Sequence, residues 1–241
     1  MTIESLERPL RHVRSFVRRP GRLTPAQDHA LTTLLPRYQW QPEDALVDAS
    51  SQASSQASSQ ASSQASSQAQ WIMEIGFGNG QALVEMAKAQ PECRFIGVEV
   101  HPPGVGRLLN ALHDNAIDNV RVMMVDAVEL LTQDIPNQSL AEVRIYFPDP
   151  WPKKRHHKRR LIQPDFIALL HSKLKPEGRV HLATDWAPYA EWMVEVFAAN
   201  PNFERLEGAT VWRPSTHFER RGQRRGHSIV DLVYQTKIGE R

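Results

Sequence analysis

The apolar run Trp71–Ile75 breaks abruptly into Gly76-Phe77-Gly78-Asn79-Gly80, and a helix-spaced stretch, 81–89, follows at once. No other feature limits the possible folds as strongly. A buried strand that feeds a glycine turn and then a helix is the opening unit of a parallel α/β sheet. The pattern repeats downstream. Strand-like runs are expected at 94–100, 120–125, 143–147 and 179–183, with two more at 203–206 and 228–235. Helical spacing is read at 104–115, 128–133, 162–174 and 186–199, the third of these ending at the turn signal Lys175-Pro176-Glu177-Gly178. The expected fold is Rossmann-like α/β: a mainly parallel seven-stranded sheet with helices on both faces. In such sheets ligands sit beyond the carboxyl ends of the strands, so chemical residues should follow strands directly.

The 241 residues suit one such domain plus an extension. Three segments are expected: an Arg-rich extension at 1–49, a low-complexity linker at 50–69 and the α/β domain at 70–241. The extension reads as a weakly periodic arm over 1–30, which orders poorly unless something binds it, followed by a short helix at 30–38. Residues 50–69 are five tandem copies of Ser-Ser-Gln-Ala, with no charge and no bulky apolar side chain. Such a tract cannot bury enough surface to offset its ordering entropy. Cys93 is the lone cysteine, which excludes an internal disulfide framework and a cysteine-rich zinc site. The ten histidines show no recognised metal-ligand spacing, so no metal is expected. With no long apolar span and no apolar leader, the expected location is the cytoplasm.

The net charge is only +2, but the cations are clustered. One group is Arg8, Arg11, Arg14, Arg18, Arg19 and Arg22; a second is the run from Lys153 to Arg160; a third is Arg220-Arg221 with Arg224-Arg225. A single cluster reads as a solvated loop. Three on a nearly neutral chain point to one basic face for a polyanion, best a nucleic acid.

The glycine loop alone fits a dinucleotide as well as other nucleoside cofactors. Three acids sharpen the choice: Glu74 before the loop, Glu99 at the end of the second strand and Asp126 after the third. Glu99 stands where an acid accepts from ribose hydroxyls; Asp126 falls where an adenine ring would lie. Glu74 beside the loop would repel a pyrophosphate. S-adenosylmethionine carries no phosphate, and its ammonium and sulfonium tolerate acids. Gly76, Gly78 and Gly80 complete this candidate cofactor site. The competing view is a packing turn with surface acids.

The fourth strand ends in Tyr146-Phe147-Pro148-Asp149-Pro150-Trp151-Pro152. Flanking prolines stiffen the backbone, so this reads as a rigid rim presenting Asp149 and Trp151. Trp151 beside many cations suits base stacking with phosphate binding, and equally a core tryptophan at a stiff turn. Asp185 after the fifth strand is either a substrate contact or the cap of the next helix. Glu219, in Thr216-His217-Phe218-Glu219, is either a salt-bridge partner of its arginines or an acceptor for the Watson–Crick edge of guanine.

These residues together support a resemblance. Glu74 to Gly80, Gly97-Val98-Glu99-Val100-His101 and Tyr146 to His156 closely resemble the TrmB family, the bacterial tRNA (guanine-N7-)-methyltransferases. Arg14-Ser15-Phe16-Val17-Arg18-Arg19, Gly21-Arg22-Leu23-Thr24 and Arg213-Pro214-Ser215-Thr216-His217-Phe218-Glu219-Arg220 are similar to its other signatures. The likeness covers nearly all the chain except 50–69, where the family has ordinary mixed sequence. It implies a class I methyltransferase fold, S-adenosylmethionine as methyl donor and the variable-loop guanine of tRNA (position 46) as target. By position it implies cofactor contacts at Glu74, Glu99, Asp126 and Asp149, with Asp149 also catalytic. Substrate contacts fall on Lys153, Asp185, Thr216, His217, Phe218 and Glu219, and RNA contacts on Arg155, His156, His157, Lys158, Arg159 and Arg160. No membrane and no obligatory protein partner is implied; monomer and homodimer both fit. The alternatives are a methyltransferase with another RNA target or guanine atom, a non-catalytic RNA-binding module and a dinucleotide oxidoreductase.

Overall fold

The computed structural model describes residues 15–16, 21–41, 44, 70–209, 212–224 and 226–237. The Ser-Ser-Gln-Ala tract and most of the Arg8 to Arg22 cluster lie outside them, as do the side chains of His217, Phe218 and Arg221.

Seven strands form one sheet in the order β3-β2-β1-β4-β5-β7-β6. They are β1 (Trp71–Ile75), β2 (Arg94–Val98), β3 (Val120–Met123), β4 (Leu140–Tyr146), β5 (Leu174–Thr184), β6 (Phe203–Arg205) and β7 (Val230–Thr236). The first five run parallel, and β7 turns antiparallel against β5 and β6. All five residues of β1 are buried, as a central strand covered on both faces requires. Its alternate side chains serve different cores. Met73 and Ile75 pack with Leu130, Ile167 and Tyr189 on one face; Ile72 packs with Leu83, Phe95 and Leu109 on the other.

The helices divide accordingly. On the Ile72 face lie α1 (Pro25–Thr33), α2 (Leu35–Tyr38), α3 (Gln81–Ala89) and α4 (Pro102–Asp114). On the Met73 face lie α5 (Ala127–Gln133), α6 (Pro164–Lys173) and α7 (Ala187–Ala198), while α8 (His217–Arg224) precedes β7. Among the described residues, no helix is long and apolar enough to cross a membrane.

Two details depart from the sequence expectation. Residues 25–33 form a helix rather than a loose arm, so the helix expected at 30–38 starts earlier and is split. Thr24 Oγ1 accepts from Gln27 N at 3.3 Å while Gln27 Oε1 accepts from Thr24 N at 2.9 Å, a reciprocal capping box with proline next in the chain. The helix then docks closely on α4: a side chain at Gly106 would come within 2.8 Å of the Gln27 carbonyl. The second detail is the turn at 175–178, which lies within β5 as an irregularity. Leu174 already pairs with Leu140, the register shifts, and Glu177 adopts φ +58°.

Candidate active site

Strand order reverses beside β1, whose neighbours are β2 and β4, and the acids collect at that switch point. A cavity of about 250 Å³ opens there, lined by Gly76, Gly78, Glu99, Asp126, Phe147 and Asp149 among others. The glycine loop forms its floor. Gly76 has φ +77° and an added side chain there would meet nothing within 4 Å, so the backbone faces open space. Gly80 serves a different purpose from the one expected: it does not line this cavity and is buried at the start of α3, where a side chain would meet Leu108 at 2.7 Å.

Each acid has its own environment. Glu74 is only 3% exposed, and its Oε2 has no hydrogen-bond partner among the described residues. Burial pushes its carboxyl up to about 7, with Arg144 pulling down and Glu99 adding to the rise. It lines a small recess with Gly76, Phe77, Tyr146 and Thr216. Glu99 ties the loop to β2: Oε2 accepts from Gly78 N at 2.9 Å, and Oε1 from Val100 N at 2.7 Å and His101 N at 3.0 Å. Asp126 caps α5, with Oδ1 accepting from Val128 N at 2.9 Å.

Asp149 stands exposed at the cavity edge, on the turn after β4. Phe147 and Trp151 flank that turn with φ +52° and +44°, a left-handed backbone that bulky residues adopt only under constraint. Ser15 and Phe16 also line the cavity, and the Ser15 carbonyl accepts from Trp151 Nε1 at 3.1 Å. The sequence reading placed no site residue in the N-terminal segment; the spacing of more than 130 residues gives no local signal for this contact.

The basic run forms a 3₁₀ helix, Lys154–Arg159, beside the turn. Lys153, Lys154, Arg155 and Lys158 are exposed. Trp151 is packed against His156, ring centroids 5.8 Å apart, and lies under the Arg159 guanidinium at 5.0 Å. Partial desolvation and the cations Arg155, Arg159 and Lys153 hold His156 below the usual histidine pKa. His157 meets Arg160 Nη2 at 3.2 Å. Arg160 itself corrects the expectation of RNA contact: it is 4% exposed, donates to the Pro150 carbonyl at 3.0 Å and lies over the Tyr189 ring at 4.9 Å. It braces the turn from behind.

The remaining residues lie outside the main cavity, and only Thr216 reaches the small recess beside Glu74. Asp185 does not cap α7; its Oδ2 meets His227 Nδ1 at 3.1 Å, while Thr184 Oγ1 accepts from Trp186 N. Thr216 Oγ1 accepts from Glu219 N at 3.0 Å, and Glu219 Oε2 accepts from Thr216 N at 3.4 Å. Glu219 also ion-pairs with Arg213. Asp231 grips the same guanidinium, Oδ1 to Nε at 2.7 Å and Oδ2 to Nη2 at 3.0 Å. Burial works against charge on both partners, but hydrogen bonds outweigh it: those with His181 and Arg213 depress the Asp231 pKa, and those with Asp231 and Glu219 raise that of Arg213. Arg213, His181 and Asp231 were not among the expected site residues.

A seven-stranded sheet with this order, its cavity at the β1–β4 switch point and acids at successive strand ends, defines a class I methyltransferase. The comparisons agree. A family model described as "Putative methyltransferase" matches residues 68–232. The tRNA (guanine-N(7)-)-methyltransferase of Halorhodospira halophila is 47% identical over 94% of this chain and 96% of its own. That of Alcanivorax borkumensis is 45% identical over 95% and 93%. The crystal structure of the 16S rRNA methyltransferase KamB superposes with a TM-score of 0.51 at 12% identity, covering 70% of this chain and 88% of that one, a likeness of fold. The chain belongs to the tRNA (guanine-N(7)-)-methyltransferase family.

Proposed function

We propose that the protein transfers a methyl group from S-adenosylmethionine to N7 of the variable-loop guanine at position 46 of tRNA. The observation that carries this reading is the buried carboxylate of Glu74 near the end of β1, whose Oε2 has no hydrogen-bond partner among the described residues, beside a cavity ringed by further acids. An orphaned buried oxygen calls for a donor, and the donor's ammonium group supplies one with complementary charge. Glu99 has committed three acceptor positions to backbone N–H groups; a carboxylate offers about four, which leaves one for a ribose hydroxyl. In this reading Asp126 accepts from an adenine amino group.

When bound, S-adenosylmethionine supplies an electrophilic methyl on a sulfonium. The in-plane lone pair of guanine N7 takes that methyl as the carbon–sulfur bond breaks, leaving a neutral thioether and a cationic base. No proton need be removed, so the chain's task is placement and electrostatics. In this reading Asp149 positions the reacting groups and offsets the positive charge developing on the purine. Asp185 and the segment from Thr216 to Glu219 form the wall that holds the guanine. Lys153, Lys154, Arg155 and Lys158 bind phosphates, with His156, His157 and Arg159 at the same edge.

The test is labelled methyl transfer to an unmodified tRNA transcript and to the same transcript with the variable-loop guanine replaced by adenine. Transfer to the first alone is expected. Equal labelling of both would refute the assigned target.

A further inference from the structure

A closed circuit of contacts lies behind the Pro148-Asp149-Pro150 turn. Tyr146 Oη meets His181 Nδ1 at 2.9 Å, and His181 Nε2 meets Asp231 Oδ1 at 2.9 Å. Asp231 holds Arg213 with a forked pair of bonds at 2.7 and 3.0 Å. The Arg213 guanidinium then lies over the rings of Tyr146 and Phe147, 5.5 and 5.6 Å from their centroids, so the circuit returns to its starting residue. It joins β4, β5, β7 and the segment before α8.

The Asp231 side chain is 42% exposed, but the other members are costly to bury unless they are partnered. His181 is 0% exposed and the Arg213 side chain 7%. A neutral imidazole protonated on Nε2 satisfies both neighbours, with the Tyr146 hydroxyl donating to Nδ1. The beneficiary is the adjacent backbone. Phe147 sits at φ +52°, its N–H donating to the Ala183 carbonyl at 2.7 Å, and a non-glycine residue stays in that region only where its surroundings over-determine it. Arg213 covers its ring. The direction in which Pro148 and Asp149 leave β4 is set at that residue.

We infer that Arg213, fixed by Asp231 and through it by His181, is a positioning residue that holds the Phe147–Asp149 turn in the geometry methyl transfer needs. Through its ion pair with Glu219 it also ties that turn to the wall where the guanine is held. The inference rests on the reading of Asp149 as the catalytic residue. Arg213, Asp231 and His181 do not line the main cavity, whereas Phe147 and Asp149 do, so their effect reaches the site only through the turn and should fall more heavily on turnover than on cofactor affinity.

The experiment measures kcat at saturating tRNA and S-adenosylmethionine for Arg213→Lys and Asp231→Asn, with cofactor affinity by calorimetry on the same preparations. Lysine keeps the charge but cannot fork or stack, so Arg213→Lys carries the test if Asp231→Asn fails to fold. The expected result is a loss of kcat of about tenfold or more, since small misplacements of reacting groups have effects of that order, with a clearly smaller fall in cofactor affinity. Wild-type kcat in a folded variant would overturn the inference, as would a fall in affinity matching the fall in kcat. Asp149→Ala in the same series separates the two claims. Full turnover there overturns the reading of the turn; an inactive Asp149→Ala beside unimpaired Arg213 and Asp231 variants overturns the circuit alone.

Discussion

Glu74 carries a conflict between stability and binding. Its pKa rises from 4.5 to about 7 on burial, so the native state prefers the proton. Between those values folding takes up a proton, and the contribution of Glu74 to stability falls as pH rises through the window. The full penalty, roughly 3 kcal/mol for a shift of this size, stands above about pH 7. Glu74→Gln should therefore raise the melting temperature of the ligand-free protein at pH 8 and weaken binding of S-adenosylmethionine. A lower melting temperature would show that the carboxylate is stabilised by something other than ligand. Because the ammonium group needs the ionised form, cofactor affinity should also fall as pH drops below about 7. Calorimetry in buffers of different ionisation enthalpy should detect proton release on binding at pH 6; no buffer dependence would contradict the pairing.

The 3₁₀ helix and the turn it flanks divide the basic run into two kinds of residue. Lys153→Ala and Arg155→Ala should weaken tRNA binding and each lower the salt dependence of log K by about one. Arg160→Ala should instead lower thermal stability, by about 1–3 kcal/mol for a buried group that leaves the Pro150 carbonyl unsatisfied. An undiminished melting temperature in Arg160→Ala would contradict the buried role. At the other end of the chain, Thr24→Ala should cost about 1 kcal/mol by removing half the capping box of α1; denaturant melts would measure it. Sequence could not separate Arg160 from Arg159, because both are arginines in one charged run. The partners that bury Arg160, Tyr189 and Trp192, belong to α7. The capping box, by contrast, was present as Thr24-Pro25-Ala26-Gln27, and the density of arginines around it masked the signal.

Across the whole molecule, legibility followed the range of the interactions. Strand β1 stood out because it is a buried apolar run that ends at a glycine turn, and Gln81–Ala89 because its apolar spacing is helical. The acids at strand ends were legible because parallel topology alone gathers those ends at one edge. The circuit through Tyr146, His181, Asp231 and Arg213 was not, since its members are brought together only by the pairing of β4 with β5 and of β5 with β7. The same sheet presents the exposed cations Lys153, Lys154, Arg155 and Lys158 beside the cavity edge that holds Asp149, so a polyanion bound there would meet the reactive turn. The most direct test of the account is nucleoside mass spectrometry of unmodified tRNA after incubation with the protein and S-adenosylmethionine. The account predicts 7-methylguanosine as the product. A folded protein that binds both partners yet yields no methylated nucleoside, or yields guanosine methylated at another atom, would contradict it.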